Sequence, residues 1–123
     1  MKDPYKKIRM INTLKKYARL GLASGSIDAI DTYERIKGCS RSRKEARELI
    51  AVYETVKYLR VCGKEDALDA LYAVYFSLSG RGVRKSEISE RVLRFAADRY
   101  CDERTVYRKL SYVVRVYERL LGE

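Results

Sequence analysis

The chain of 123 residues is long enough for one domain with a modest core, and its 46% hydrophobic content is typical of a folded globular protein. The 27 Lys and Arg residues outnumber the 17 Asp and Glu residues, and the net charge of +10 favours a polyanionic partner such as nucleic acid. The sequence contains no His, which excludes Ser-His-Asp triads, Cys-His dyads and His-ligated metal sites. We expect no enzymatic activity, no cofactor and no metal ion.

The cysteines and the lack of long apolar segments indicate in which cellular compartment the protein is expected. Cys39, Cys62 and Cys101 are far apart and form no CxxC pair, so they predict neither a zinc ribbon nor a disulfide framework. The opening MKDPYKKIRM lacks the apolar run of a signal peptide. No segment approaches the roughly 18 consecutive apolar residues of a membrane span. These features predict a cytoplasmic protein without a membrane partner.

Turn-forming residues are scarce, with one Pro and seven Gly, while apolar residues recur every three or four positions. Strands need frequent turns, whereas this spacing places apolar side chains on one face of a helix. The sequence therefore predicts an all-α fold, a small helical bundle with a C-terminal helix-turn-helix. We expect a basic N-terminal helical segment over 1–62 and the helix-turn-helix region over 63–123 to pack as one compact domain.

The N-terminal segment is predicted to form three helices. Their expected bounds are Pro4 to Gly21 with Asp3 as N-cap, then 26–37, then Ser40 or Ser42 as N-cap to Val61 before Gly63. The apolar faces of the first two are expected to comprise Ile8, Ile11, Leu14 and Ala18, and Ile27, Ile30 and Ile36.

Three further helices are predicted in the C-terminal region. The first is expected over 64–78 and is followed by a basic loop over 79–85. The second is expected to run from its N-cap Ser86 to Asp98, and the turn 99–102 follows it. The last is expected over 103–121, with Asp102 as its N-cap. A helix, a short turn and a longer helix are the parts of a helix-turn-helix, although an ordinary helical hairpin has the same order.

The last helix separates apolar from cationic residues. Its apolar positions have spacings of four, three, four and three, which predict one buried face: Val106, Leu110, Val113, Tyr117 and Leu120. The opposite face carries Ser111 and four arginines, Arg104, Arg108, Arg115 and Arg119, which we call the arginine stripe. A guanidinium group binds guanine or phosphate with two hydrogen bonds, so this face fits a DNA major groove. The alternative is that it is the solvated face of an amphipathic helix.

Two roles are expected along the arginine stripe. Arg104 and Arg108 are near the start of the helix, where a recognition helix reaches base edges, whereas Arg115 and Arg119 are placed to bind phosphates. Further DNA-binding candidates flank the stripe or lie in the loop before it: Thr105, Lys109, Tyr112, Arg81, Arg84 and Lys85. The eleven tyrosines could instead stack on single-stranded nucleic acid, although tyrosine is more often a half-buried helix residue.

The segment DERTVYRKLSYVVRVYERLL (102–121) resembles the recognition helix of sigma factor region four and of phage late-gene transcription regulators of the RinA/ArpU type. The resemblance lies in a capping acid, a charged pair, a Thr-Val-Tyr-Arg core and a following Leu, here Asp102 to Arg108 and Leu110. The stretches ALDALYAVYF (67–76) and SEISERV (86–92) resemble the two preceding helices. The resemblance implies a helix-turn-helix fold and a double-stranded DNA partner, but the turn here contains no glycine.

Two functions follow as hypotheses. The first is a double-stranded DNA-binding transcriptional regulator of phage or prophage type, acting in the cytoplasm of a bacterial host. The second is a non-enzymatic, phage-type interaction protein that inhibits or redirects a host nucleic-acid machine, for example an anti-CRISPR-like inhibitor. RNA polymerase, another host protein or a second copy of the chain are the further partners that these hypotheses admit.

Overall fold

The computed structural model describes residues 4–24, 29–78 and 85–122, and within these ranges it contains helices and no strand. A short 3-10 helix, Leu22–Ser24, follows the first helix. The α-helices are α1 (Pro4–Arg19), α2 (Ala29–Cys39), α3 (Arg43–Val61), α4 (Glu65–Val74), α5 (Lys85–Asp98) and α6 (Glu103–Leu121). The all-α prediction is confirmed.

Local capping chemistry sets the starts of the two longest helices as predicted. The Ser42 hydroxyl accepts a hydrogen bond from the Glu45 N–H (3.1 Å) at the start of α3. The Asp102 carboxylate accepts from the N–H of Thr105 (2.8 Å) at the start of α6. The predicted cap Ser86 is wrong, because α5 begins at Lys85 and Ser86 lies inside its first turn. The predicted cap Asp3 lies outside the described residues.

Three helices end at positions other than those predicted, and the first of them ends at Arg19 instead of Gly21. The second continues beyond 37 to Cys39, and the fourth stops at Val74 instead of Leu78. The reason for the early stop is aromatic packing. The Tyr75 and Phe76 N–H groups both donate to the Leu71 carbonyl, and the Phe76 ring turns back to stack on Tyr17 of α1 (centroids 5.6 Å apart).

One continuous hydrophobic core joins the described helices, and it includes residues on both sides of the predicted boundary at 62. Helix α6 packs on α3, α4 and α5, while α1 and α2 pack on α3. The whole described chain therefore shares one core, with α3 and α6 at its centre.

Some predicted core positions are wrong, because neighbouring helices select a different side of each helix. Ile8 of α1 is 44% exposed and Ile30 of α2 is 71% exposed, and Ile27 lies outside the described residues. Ile11 and Leu14 are buried as predicted, and Met10 and Tyr17, which were not predicted, are buried on the same side of α1. In α6, Leu120 is 40% exposed because it lies in the last turn, and Val116 is buried one turn earlier.

The helices around α6 have different directions. Arg47, near the start of α3, donates to the Leu121 carbonyl at the end of α6 (2.9 Å), while Tyr58 near the end of α3 lies beside Tyr112. Helix α3 is therefore antiparallel to α6. Asp66, at the start of α4, lies near Lys109, and Tyr75, at the end of α4, lies near Tyr107. Lys109 and Tyr107 project from opposite sides of α6. Helix α4 therefore crosses α6.

Candidate nucleic-acid interface

The buried face of α6 determines the direction of the arginine stripe. Val106, Leu110, Val113 and Tyr117 are at most 4% exposed, as predicted. All four stripe arginines and Ser111 are exposed on the opposite side. At about 100° per residue the five side chains fall within roughly a quarter of the helix circumference. The core packing of one helix thus presents a cationic strip along its outer surface.

The arginine stripe is not neutralised by the described part of the protein. Elsewhere in the fold cations meet carboxylates, as in Arg9–Glu48 (2.8 Å), Arg91–Glu87 (3.2 Å) and Arg99–Asp69 (3.0 Å). No described carboxylate forms an ion pair with an arginine of the stripe. Unlike an ordinary solvated helix face, on which opposite charges alternate, this surface leaves four guanidinium groups available to an external anion.

The Asp102 carboxylate, two residues before Arg104, caps the start of α6. Hydrogen bonds from the Thr105 hydroxyl (2.7 Å) and backbone N–H lower the pKa of Asp102, and Arg104 and Arg108 act in the same direction. Because the folded-state pKa is lowered, this cap stabilises the fold at neutral pH, and the stabilisation is lost as the pH falls through that pKa. Thr105, a predicted DNA contact, is half-buried, and its hydroxyl hydrogen is already donated to the cap.

The other predicted site residues lie beside the stripe or outside the described chain. Lys109 faces α4, where its Nζ lies 3.9 Å from an Asp66 oxygen. Tyr112 is half-buried, with the Lys64 ammonium 5.9 Å from its ring centroid. Lys85 is exposed at the start of α5. The predicted loop 79–85 lies outside the described residues, together with its Arg81 and Arg84, except for Lys85, which is helical.

Helices α4, α5 and α6 pack against one another, and the turn between α5 and α6 is closed by backbone hydrogen bonds. The Tyr100 N–H donates to the Ala97 carbonyl (3.3 Å) and the Cys101 N–H to the Ala96 carbonyl (3.0 Å). This pattern needs a residue in the left-handed conformation, which is usually glycine. Tyr100 takes that place with a φ of 55°, the only positive φ of a described residue other than glycine.

Two tyrosines that are not among the predicted DNA contacts lie at this surface. Tyr100 is 97% exposed at the turn, and Tyr107 is 40% exposed on the edge of the stripe opposite Lys109. The absence of glycine from the turn was the available signal for Tyr100, because some residue had to adopt the left-handed conformation.

Replacing Tyr100 by glycine should stabilise the protein by about 0.5–1 kcal/mol, because the left-handed conformation is strained for a residue with a Cβ atom. The ring is almost fully exposed, so its removal costs little packing. Urea denaturation followed by circular dichroism measures the change. Tyr100→Ala is the matched control, since it removes the ring and keeps the strain. Equal destabilisation of both variants would contradict this account.

The described part of the chain contains neither a candidate metal site nor a membrane-spanning helix. No group of three or more acidic or Cys side chains that could hold a metal ion occurs within 4–24, 29–78 or 85–122. None of the described helices has the length and apolar character needed to cross a membrane. Comparison of the chain with protein-family models, with curated proteins and with solved structures finds no match.

Proposed function

We propose that this protein is a double-stranded DNA-binding transcriptional regulator of phage or prophage type, and that α6 is its recognition helix. The observation that carries the proposal is the arginine stripe, exposed on the side of α6 opposite the core and unpaired within the described chain. Arginine is the side chain best suited to guanine edges and phosphates, because its fork of donors matches both.

The arrangement of α4, α5 and α6 supports this proposal. A recognition helix needs one buried face and must be held by helices that leave its other face open to the groove. Helix α4 crosses α6 on its buried side, and α5 reaches α6 through the short turn that contains Tyr100. The outer face of α6 stays uncovered by the described helices along its whole length.

The two halves of the stripe suit different parts of the DNA. Arg104 and Arg108 lie in the first two turns of α6, the part of a recognition helix that reaches base edges. Arg115 and Arg119 lie in the last two turns, where the groove curves away and the phosphate backbone is the nearer partner. Ser111 is short enough to let the backbone approach between these two pairs.

Binding to duplex DNA should weaken steeply as salt increases. Each neutralised phosphate contributes about −0.9 to the slope of log affinity against log salt, so the two anchoring arginines alone give about −1.8 and further cations make it steeper. Fluorescence anisotropy of a labelled duplex between low and physiological salt measures the slope. A single strand of equal length is the control, because stacking on exposed tyrosines would favour it. A flat slope, or no binding at low salt, would contradict the proposed DNA-binding function.

A second candidate function, docking on a host protein, is favoured by Tyr100. This exposed aromatic ring lies in the sequence between Asp98–Arg99 and Asp102–Glu103, and an exposed aromatic ring among charges of both signs suits a protein surface. A strained backbone conformation at an almost fully exposed residue also points to a role outside the fold. Binding to bacterial RNA polymerase that is lost in Tyr100→Gly, with DNA binding unchanged, would support this function.

A further inference from the structure

Cations are concentrated at the start of α3, away from the residues proposed to read DNA. Arg43, Lys44 and Arg47 are exposed there, and the one carboxylate between Arg41 and Arg47 is Glu45. Glu45 is already engaged, because it accepts hydrogen bonds from the Lys16 ammonium and from the Arg41 N–H (3.4 Å). The positive charge at this end of α3 is therefore not balanced by its own segment.

These cations oppose the polarity of the helix that carries them. The start of an α-helix bears partial positive charge, which favours acidic side chains and disfavours Lys and Arg. Arg43 and Lys44 are the first two residues of α3, so both are unfavourably placed in the free protein. Burial lowers the pKa of Lys16 nearby, and the neighbouring cations Arg41 and Arg19 lower it further. An external anion would relieve this repulsion.

The cationic start of α3 and the end of the arginine stripe lie at the same end of the α3–α6 pair. Arg47 donates to the Leu121 carbonyl (2.9 Å), so the second turn of α3 touches the last residue of α6. Arg43 and Lys44 lie on the same side of α3 as Arg47, within about 60° of it around the helix. Arg115 and Arg119 lie in the last two turns of α6, at this same end of the antiparallel pair.

If the first turns of α6 enter the major groove, the dimensions of DNA bring a phosphate backbone to the C-terminal end of α6. Helix α6 has 19 residues and is therefore about 28 Å long. The major groove is only about 12 Å wide, so a recognition helix that enters it by its first turns has its last turns at the groove edge. The start of α3 adjoins that end of α6, where one of the two sugar-phosphate strands runs.

We propose that Arg43 and Lys44 bind the sugar-phosphate backbone of the same duplex that α6 reads, so that the interface extends from α6 onto α3. This inference rests on the proposed function of α6. The binding groups are the two side chains and not the helix amides, since Ser42 already caps the N–H of Glu45. The contacts are independent of sequence and strengthen binding to every duplex alike.

The test compares two double variants of the full chain that lose equal charge on the same helix. Arg43→Gln/Lys44→Gln removes the proposed contacts, and Lys57→Gln/Arg60→Gln removes two exposed cations near the other end of α3. Duplex binding is measured by anisotropy over a salt series, with an Arg115→Gln/Arg119→Gln variant alongside. We expect the first variant to make the salt slope shallower by about 1.8, and the Lys57/Arg60 control to leave it nearly unchanged.

Thermal unfolding separates binding from folding. Since Arg43 and Lys44 oppose the helix dipole, their replacement should leave the Tm of the free protein unchanged or higher while DNA affinity falls. Equal losses of slope in the Arg43/Lys44 and Lys57/Arg60 variants would overturn the inference in favour of a general charge effect. A loss confined to the Arg115/Arg119 variant would overturn it and keep the proposed function. Failure of the unmodified protein to bind any duplex would overturn both.

Discussion

Leu110→Ala is expected to lower the free energy of unfolding by about 2–5 kcal/mol, the range for a large aliphatic side chain removed from a packed core. Leu110 is 2% exposed in the middle of α6, and its helix packs on α3, α4 and α5 at once. Few neighbours can move to fill the space, because each is held in a helix of its own. Chemical denaturation monitored by circular dichroism gives the change.

Leu120→Ala is the matched control for this prediction, because it makes the same chemical change in the same helix. Leu120 is 40% exposed, so its truncation should cost less than about 1 kcal/mol. Equal costs for the two variants would mean that α6 is not held by its Val106–Tyr117 face. The direction assigned to the arginine stripe would then be wrong as well, because the stripe is the opposite side of the same helix.

The parts of the fold that follow from neighbouring residues could be predicted from the sequence. The caps Ser42 and Asp102 bond to N–H groups three residues away; Asp102 was predicted, and Ser42 was one of the two predicted alternatives. Four of the five positions predicted on the buried face of α6 are buried, because apolar and charged residues occupy opposite sides of that helix. In α1 and α2 apolar residues lie on more than one side, so the choice of Tyr17 over Ile8 depended on where α3 and Phe76 lie.

In the candidate site, too, features set within one helix could be predicted from the sequence, whereas contacts between distant residues could not. The exposure of the arginine stripe follows from the period of one helix and was predicted residue by residue. The pairing of Lys109 with Asp66 and the contact of Arg47 with Leu121 join residues 43 and 74 positions apart, and no local pattern indicates either. The proposed extension of the interface onto α3 therefore depends on the antiparallel packing of α3 and α6, which the sequence alone does not indicate.

Arg108→Ala and Arg119→Ala should weaken DNA binding in different ways. Arg108 lies in the second turn of α6, so its loss should cost about 1–3 kcal/mol on the preferred site and reduce discrimination among sites. Arg119 lies in the last turn, so its loss should weaken binding to all duplexes alike and make the salt slope shallower by about one. Selection of bound sequences from a random duplex pool, followed by salt titration of the selected site, measures both effects.

Both arginines are exposed and unpaired within the described chain, so neither variant should change the stability of the fold by more than about 0.5 kcal/mol. A difference in DNA binding therefore reports on contact with DNA and not on unfolding. Lys57→Ala controls for the loss of one positive charge, since Lys57 is exposed on α3 near the end remote from Arg43. If Arg108→Ala and Arg119→Ala both weaken binding without altering the selected sequence, α6 binds only the backbone, and base discrimination must come from residues outside the stripe.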